Sequence, residues 1–378
     1  MVDIEGLVRN AVKNLKPYKY SEEMKEICEK YGFSPEEIVK LCSNENLFIP
    51  RNFSQKILEE TLKEVDIRQY PQVMNVDLRE KIAEFLKLDG PEQVFVGNGS
   101  DELMDIITKI FVDHERKAII IEPTFDLYTL YVKAMGGEVI PVLLEPDFTL
   151  NLEKVLEAIE ENKEKTSILF LASPNNPTGL QYSKEHIEKI LETFEGMVVL
   201  DEAYCEFADY TVLDLFEKFE NLIILRTFSK AWGVAGLRTG FAIASPQVTE
   251  FMERIVTPFN INIISQAIIP KLLEKYETIR TAAEAVKEER EYVLDRLKAV
   301  DGVEVYPSQA NFFLMRVTKE GLTGKEIYEN LKQKGILVRD RSHLPLCENC
   351  LRVTIGTRRM NETFIEALEE SLMEYIEV

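Results

Sequence analysis

One lysine in this sequence sits where nucleophilic chemistry is favoured. Lys230 follows an apolar strand in ILRTFSKAWGVAGLRTGF (224–241), among small and apolar residues, with Arg238 eight residues on. An amine held beside another cation has a lowered pKa and becomes a better nucleophile. A lone lysine is ordinarily a surface residue; the position directly after a strand end argues against that here. Three further segments place polar groups similarly. VVLDEAYCEF (198–207) brings Asp201 to the C-terminal end of an apolar run, with Tyr204 three residues on. Open α/β sheets bind ligands at such ends, and a carboxylate there is costly unless it meets a cation or a metal, although a capping role is equally open. SPNNPTG (173–179) is a turn fixed by two prolines and a glycine, from which two Asn amides project. GNGSDELMDIITKIF (97–111) reads as strand, glycine turn and helix. Free N–H groups at a helix start favour an anion. Taken alone, this segment is also compatible with a plain βα turn capped by Ser100.

Together the four segments supply an anion cradle, an Asn, an Asp, a Tyr, a Lys and an Arg, all at C-terminal strand ends of one sheet. Few ligands need all of them. Pyridoxal 5′-phosphate does: it offers an aldehyde to Lys, a ring nitrogen to Asp, a phenolate oxygen to Asn and Tyr, and a phosphate to the cradle and Arg.

The order N-P-T-G, then D-x-x-Y, then S-K with Arg eight residues later resembles the fold-type I aminotransferases, and more finely the histidinol-phosphate aminotransferase family. Supporting stretches are Lys16-Pro17-Tyr18, CSNEN (42–46), QYP (69–71), GNGSDE (97–102), PFNIN (258–262), VRD (338–340) and LRVTIGT (351–357). The resemblance implies a role for each matching residue. Lys230 condenses with the cofactor aldehyde and then carries the proton between substrate and cofactor. Asp201 pairs with the pyridinium nitrogen. Asn176, not Asn175, and Tyr204 bind the phenolic oxygen. Arg238, Thr227, Ser229 and the backbone of Gly99, Ser100 and Asp101 hold the phosphate, and Phe125 stacks on the ring. Tyr70 reaches the phosphate of a partner subunit, so a homodimer is expected. Arg352 clamps the α-carboxylate, Arg339 with Tyr18 grips the substrate phosphate, and Asn46 lies near the substrate. The implied reaction moves an amino group from glutamate to imidazole-acetol phosphate. Rival readings are threonine-phosphate decarboxylase, an aromatic or broad-range aminotransferase and, from another class, a non-catalytic cofactor-binding regulator. Two stretches depart from the family pattern: Asn44-Glu45-Asn46-Leu47 lacks the usual final proline, and Arg68-Gln69-Tyr70-Pro71 carries an insertion between Arg and Tyr.

The elements that must position these residues are legible as alternating patterns. Short apolar runs at 94–97, 118–122, 138–143, 167–171, 197–201, 222–226 and 240–244 read as strands. They alternate with amphipathic helices at 101–112, 125–135, 151–161, 184–194 and 212–218, preceded by helices at 54–65 and 77–88. This predicts an α/β fold, a large mostly parallel seven-stranded sheet covered on both faces. After residue 262 a long helical stretch (264–299) leads into the strand-like runs VEVYP, FFLMRV, ILVRD and LRVTIG, with helices at 325–334 and 361–376. The expected organisation is an N-terminal arm over 1–45 packing on the small domain, a large cofactor-binding domain over 46–262 and a small α+β domain over 263–378.

Composition bounds the partners. The 378 residues carry a net charge of −21, which repels nucleic acid and anionic membranes. An anionic substrate must therefore meet a local cluster of Arg or Lys. No run of about 18 apolar residues suggests a membrane span, and the charged N-terminus does not read as a signal peptide. Five scattered cysteines suggest a reducing cytoplasm. Cys347-x-x-Cys350, with His343 four residues before, lacks a fourth ligand in the segment, so no metal is assigned to it.

Overall fold

The structure is a computed structural model that describes residues 2–17 and 24–373. Thirteen strands are present among these: β1 (Val39–Lys40), β2 (Val94–Gly97), β3 (Lys117–Glu122), β4 (Glu138–Leu143), β5 (Thr166–Ala172), β6 (Met197–Asp201), β7 (Leu222–Thr227), β8 (Gly240–Ile243), β9 (Val303–Val305), β10 (Phe312–Val317), β11 (Ile336–Leu337), β12 (Arg339–Asp340) and β13 (Cys350–Thr354). The seven apolar runs of the alternating region form one sheet in the order β2-β8-β7-β6-β5-β3-β4. Only β8 runs against its neighbours; the others are parallel. Strands β5 to β8 are buried almost throughout. This is why their sequences are continuous apolar runs rather than alternating ones.

Register matters more to the site than strand count. Asp201 stands beside Ala172 on one side and Leu225 on the other. Thr227 stands beside Gly240, which stands beside Gly97. The chemistry-bearing ends of β2, β5, β6 and β7 are thus brought to one edge, where the chain leaves parallel strands and ligand crevices form.

A second sheet, β12-β13-β10-β9, is antiparallel. In it Arg339 lies directly opposite Arg352. The first residues contact both regions: Asn10–Lys13 packs on Leu127–Met135, Arg9 donates to the Ala134 carbonyl at 3.1 Å, and β1 pairs in parallel with β11.

Two sequence expectations are altered. The helix expected at 212–218 is only a 3-10 turn, Leu213–Leu215. Its start is captured by the buried Glu202 carboxylate, which accepts from Val212 N–H and Thr211 Oγ1 and is itself paired with Arg226. The long helix expected at 264–299 is two helices, Ile263–Leu273 and Tyr276–Lys298. Tyr276, at the break, packs edge-on to Phe85 and against Trp232, so tertiary packing overrides local propensity there.

Candidate active site

The aligned strand ends border a cavity of about 470 Å³. The seven-stranded sheet contributes Ser100, Asp101, Phe125, Asn176, Asp201, Tyr204, Thr227, Ser229, Lys230 and Arg238, and the four-stranded sheet contributes Arg339, Arg341 and Arg352 from the other side. Twelve of the sixteen residues singled out in the sequence therefore meet around one space.

Lys230 Nζ donates to the Ser43 carbonyl at 3.2 Å and lies 5.8 Å from the centre of the Tyr204 ring. Burial, and then the Arg352 charge, lower the amine's pKa to about 8, with Arg238 a lesser contributor. The sequence assigned this effect to Arg238, but that guanidinium is partly neutralised by Asp101 at 3.1 Å. The unprotonated amine is the nucleophile. Capture of pyridoxal phosphate by cofactor-free protein should therefore accelerate as pH rises through about 8 and level off above it. Stopped-flow absorbance measures this, and a rate flat across that range contradicts it.

Asp201 is buried at the end of β6. Its Oδ2 accepts from the Tyr128 hydroxyl at 2.7 Å and its Oδ1 from Ala203 N–H at 2.9 Å. Burial pushes its carboxyl up, while the Tyr128 and Ala203 bonds pull it down. A buried carboxylate held on two sides is suited to pair with one cation, and a protonated ring nitrogen is such a cation. Tyr204 accepts at its hydroxyl from Asn44 Nδ2 at 3.0 Å. The two adjacent Asn side chains separate cleanly. Asn175 is locked within its turn region by Thr124 Oγ1, Pro123 O and Thr178 Oγ1, whereas Asn176 lines the cavity and accepts from Arg352 at 2.8 Å.

The helix Gly99–Phe111 starts at the cavity edge. Gly99 has φ +82°, and a Cβ there would stand 2.8 Å from Arg238 Nη2; a Cβ on Gly240 would stand 2.8 Å from Ser100 N. These two glycines keep clear a space edged by helix N–H groups, Arg238 and Ser229 Oγ, to which Arg238 Nη1 donates at 3.4 Å. That set of donors fits a phosphate. With Lys230 for an aldehyde, Asp201 for a ring nitrogen and Phe125 for a ring face, pyridoxal 5′-phosphate is the cofactor these residues fit.

Four singled-out residues fall elsewhere. Gly99 lies beneath Arg238 without lining the cavity. Asn46 is buried outside it, its amide donating to Ala231 O and its Oδ1 accepting from Phe48 N–H. Tyr70 is 81% exposed and stacks on Phe259 at 4.7 Å. Tyr18 lies outside the described residues. Conversely, Tyr128, Asn44 and Arg341 line the cavity without having been picked out as site residues. Tyr128 was findable: it sits three residues after Phe125, at the start of the helix Leu127–Met135. Asn44 has φ +55° and is fastened by Thr354, a long-range contact with no local signal. As for Cys347 and Cys350, both are buried, while His343 is half-exposed near Asp126. Among the described residues no group of His, Cys, Asp and Glu is arranged to hold a metal.

Sheet order, strand-end lysine and anion cradle together define a cofactor-dependent transferase of the fold-type I architecture. The family model described as aminotransferase class I and II matches residues 36–368, and the chain belongs to that family. It is 35% identical over 369 residues to the histidinol-phosphate aminotransferase of Caldanaerobacter subterraneus, covering 98% of this chain and 99% of that protein. Among solved structures, the histidinol-phosphate aminotransferase of Sinorhizobium meliloti in complex with pyridoxal-5′-phosphate matches with a TM-score of 0.87 at 22% identity, over 97% of this chain and 98% of that one. The L-threonine-O-3-phosphate decarboxylase of Porphyromonas gingivalis matches with a TM-score of 0.78 at 26% identity, over 89% of this chain and all of that one.

Proposed function

We propose that this chain transfers the amino group of glutamate to imidazole-acetol phosphate, giving L-histidinol phosphate and 2-oxoglutarate, a step of histidine biosynthesis. The observation that carries the reading is the pair of guanidiniums on facing strands, Arg339 opposite Arg352. Both line the cavity, and guanidiniums side by side suit a carboxylate or phosphate. The chemistry of the two substrates fits this. Glutamate carries a carboxylate on its amine-bearing carbon. L-Histidinol phosphate has none there and instead carries a phosphate one carbon away. One arginine cluster can therefore receive either anion and leave each amine at the same place. The near full-length likeness to a histidinol-phosphate aminotransferase supports the same choice.

When bound, pyridoxal phosphate supplies an electron sink and a carrier for the amino group. The protein does the rest. Lys230, with its pKa near 8, takes a proton from the substrate carbon and returns it as a general acid. Asp201 keeps a positive charge on the ring nitrogen favourable, and Tyr128 holds the Asp201 carboxylate in place. Asn176 lines the cavity, where its amide would meet the ring oxygen, and it also fixes Arg352, whose Nη2 donates to Cys42 O at 2.6 Å. The guanidinium plane is thus set before the substrate arrives.

The protein works as a homodimer in the cytoplasm in this reading. Tyr70, Phe259, Ile67 and Val73 are exposed large side chains, and Tyr70 offers a hydroxyl to a neighbouring cradle. No helix among the described residues is long and apolar enough to cross a membrane. A second reading, decarboxylation of a phosphorylated amino acid, is favoured only by the likeness to the P. gingivalis decarboxylase. A panel of amino donors and phosphorylated acceptors, followed by the spectral change between the aldehyde and amine forms of the cofactor, separates them. Amination of imidazole-acetol phosphate by glutamate is expected. Carbon dioxide release from L-threonine O-3-phosphate in its place overturns the proposal.

A further inference from the structure

Arg341 is a buried guanidinium that neither the fold nor the cofactor explains. Its side chain is 2% exposed, yet it lines the cavity. Nη1 pairs with Asp126 Oδ2 at 3.3 Å, while Nε is buried and has no hydrogen-bond acceptor among the described residues. Buried N–H groups are nearly always satisfied, so one left open beside a cavity points to a ligand that completes it. Arg341 lies two residues beyond Arg339 on an extended segment whose pairing continues through Arg341 N–H to Cys350 O at 2.9 Å. Residues two apart on such a segment share a face, and Arg352 lies opposite Arg339 on the facing strand. Three guanidiniums therefore converge on one side of the cavity, where a carboxylate would need one.

Asp126 is the counter-ion of this cluster. It follows Phe125 in sequence, pairs with Arg341 and stands 3.8 Å from His343 Nε2. Burial alone would push its carboxyl up, but the hydrogen bond to His343 and the charges of Arg341 and Arg339 bring it below its ordinary value. Asp126 thus pairs directly with Arg341 and feels the charge of Arg339 from farther off. A phosphate monoester is dianionic, and three acceptor oxygens suit several guanidiniums at once.

We propose that Arg341 is a specificity residue: it supplies the extra guanidinium that a substrate phosphate needs and a carboxylate does not, and Asp126 holds it in the absence of phosphate. The inference rests on the functional reading above and adds how the site tells its two substrates apart.

The test uses holoenzyme and follows each half-reaction through the cofactor spectrum. In Arg341→Gln, KM for L-histidinol phosphate should rise by about tenfold or more, the loss of one charge-assisted contact, and by a distinctly larger factor than KM for glutamate. Inorganic phosphate, used as a competitor against glutamate, should weaken by a similar factor. Asp126→Asn provides a check of opposite sign: with the counter-ion gone, inorganic phosphate should compete more strongly than in wild type. Equal losses with both substrates, or unchanged phosphate competition in both variants, overturn the proposal. A wild-type enzyme that reacts with glutamate but not with L-histidinol phosphate overturns the functional reading instead. In that event the inorganic-phosphate arm alone decides Arg341: weaker competition in Arg341→Gln keeps it as a phosphate ligand, and unchanged competition removes it.

Discussion

Lys230→Ala is expected to lower turnover on the order of 10⁴-fold, the upper end of what a positioned proton carrier contributes. It should also abolish the visible absorbance that marks cofactor joined to the protein. Both effects follow from the placement of a single amine. Lys230 is the lysine lining the cavity, and its pKa near 8 comes from burial beside Arg352. No other lysine among the described residues lines this cavity. The fold should survive, because among the described residues Nζ donates one hydrogen bond, to the Ser43 carbonyl, so far-ultraviolet circular dichroism and the thermal midpoint should change little. Added small amines should restore part of the proton transfer. Normal turnover by this variant contradicts the assignment.

Asp201→Ala should have the second largest effect, a fall in kcat of about 10²- to 10³-fold, as for removal of one preorganised charge partner. Cofactor affinity should fall with it. Without the carboxylate a ring nitrogen in this buried place loses its proton, and the electron sink weakens. The alanine variant also strips the acceptor from the Tyr128 hydroxyl and the Ala203 N–H, leaving buried donors open at a cost of about 1–3 kcal/mol each. Asp201→Asn separates these contributions. It keeps an acceptor, so stability should largely return, but it carries no charge, so the rate should not. Recovery of rate in Asp201→Asn would mean that hydrogen bonding, not charge, is the function of this residue. Denaturant titration and steady-state kinetics on the same preparations measure both.

Much of this was legible in the chain because the informative signals are local. Strands buried on both faces betray themselves as unbroken apolar runs, and six strands of the large sheet were visible that way; the edge strand β4 is largely uncovered and was visible from its β-branched residues instead. Lys230, Asp201 and Asn176 lie at or just beyond strand ends, and parallel pairing brings such ends together without further information. What escaped depended on tertiary contact. Arg341 and Arg339 look alike in sequence, and only the burial of Arg341 against Asp126, 215 residues away in the chain, sets it apart. Asn44 and Asn46 are two residues apart in one loop. The backbone turns the first toward Tyr204 and the second toward Ala231, and no side-chain pattern announces that choice. The low pKa of Lys230 was anticipated, but burial and Arg352 outweigh the nearby Arg238, a ranking that requires three-dimensional distances.

Borohydride reduction of holoenzyme, followed by digestion and peptide mass spectrometry, tests the central claim most directly. Reduction should fix the cofactor to the side chain of Lys230, and the peptide carrying that residue should gain one pyridoxyl-phosphate group while other lysine peptides stay unmodified. An unmodified Lys230 peptide, or the label on a different lysine, would contradict the account.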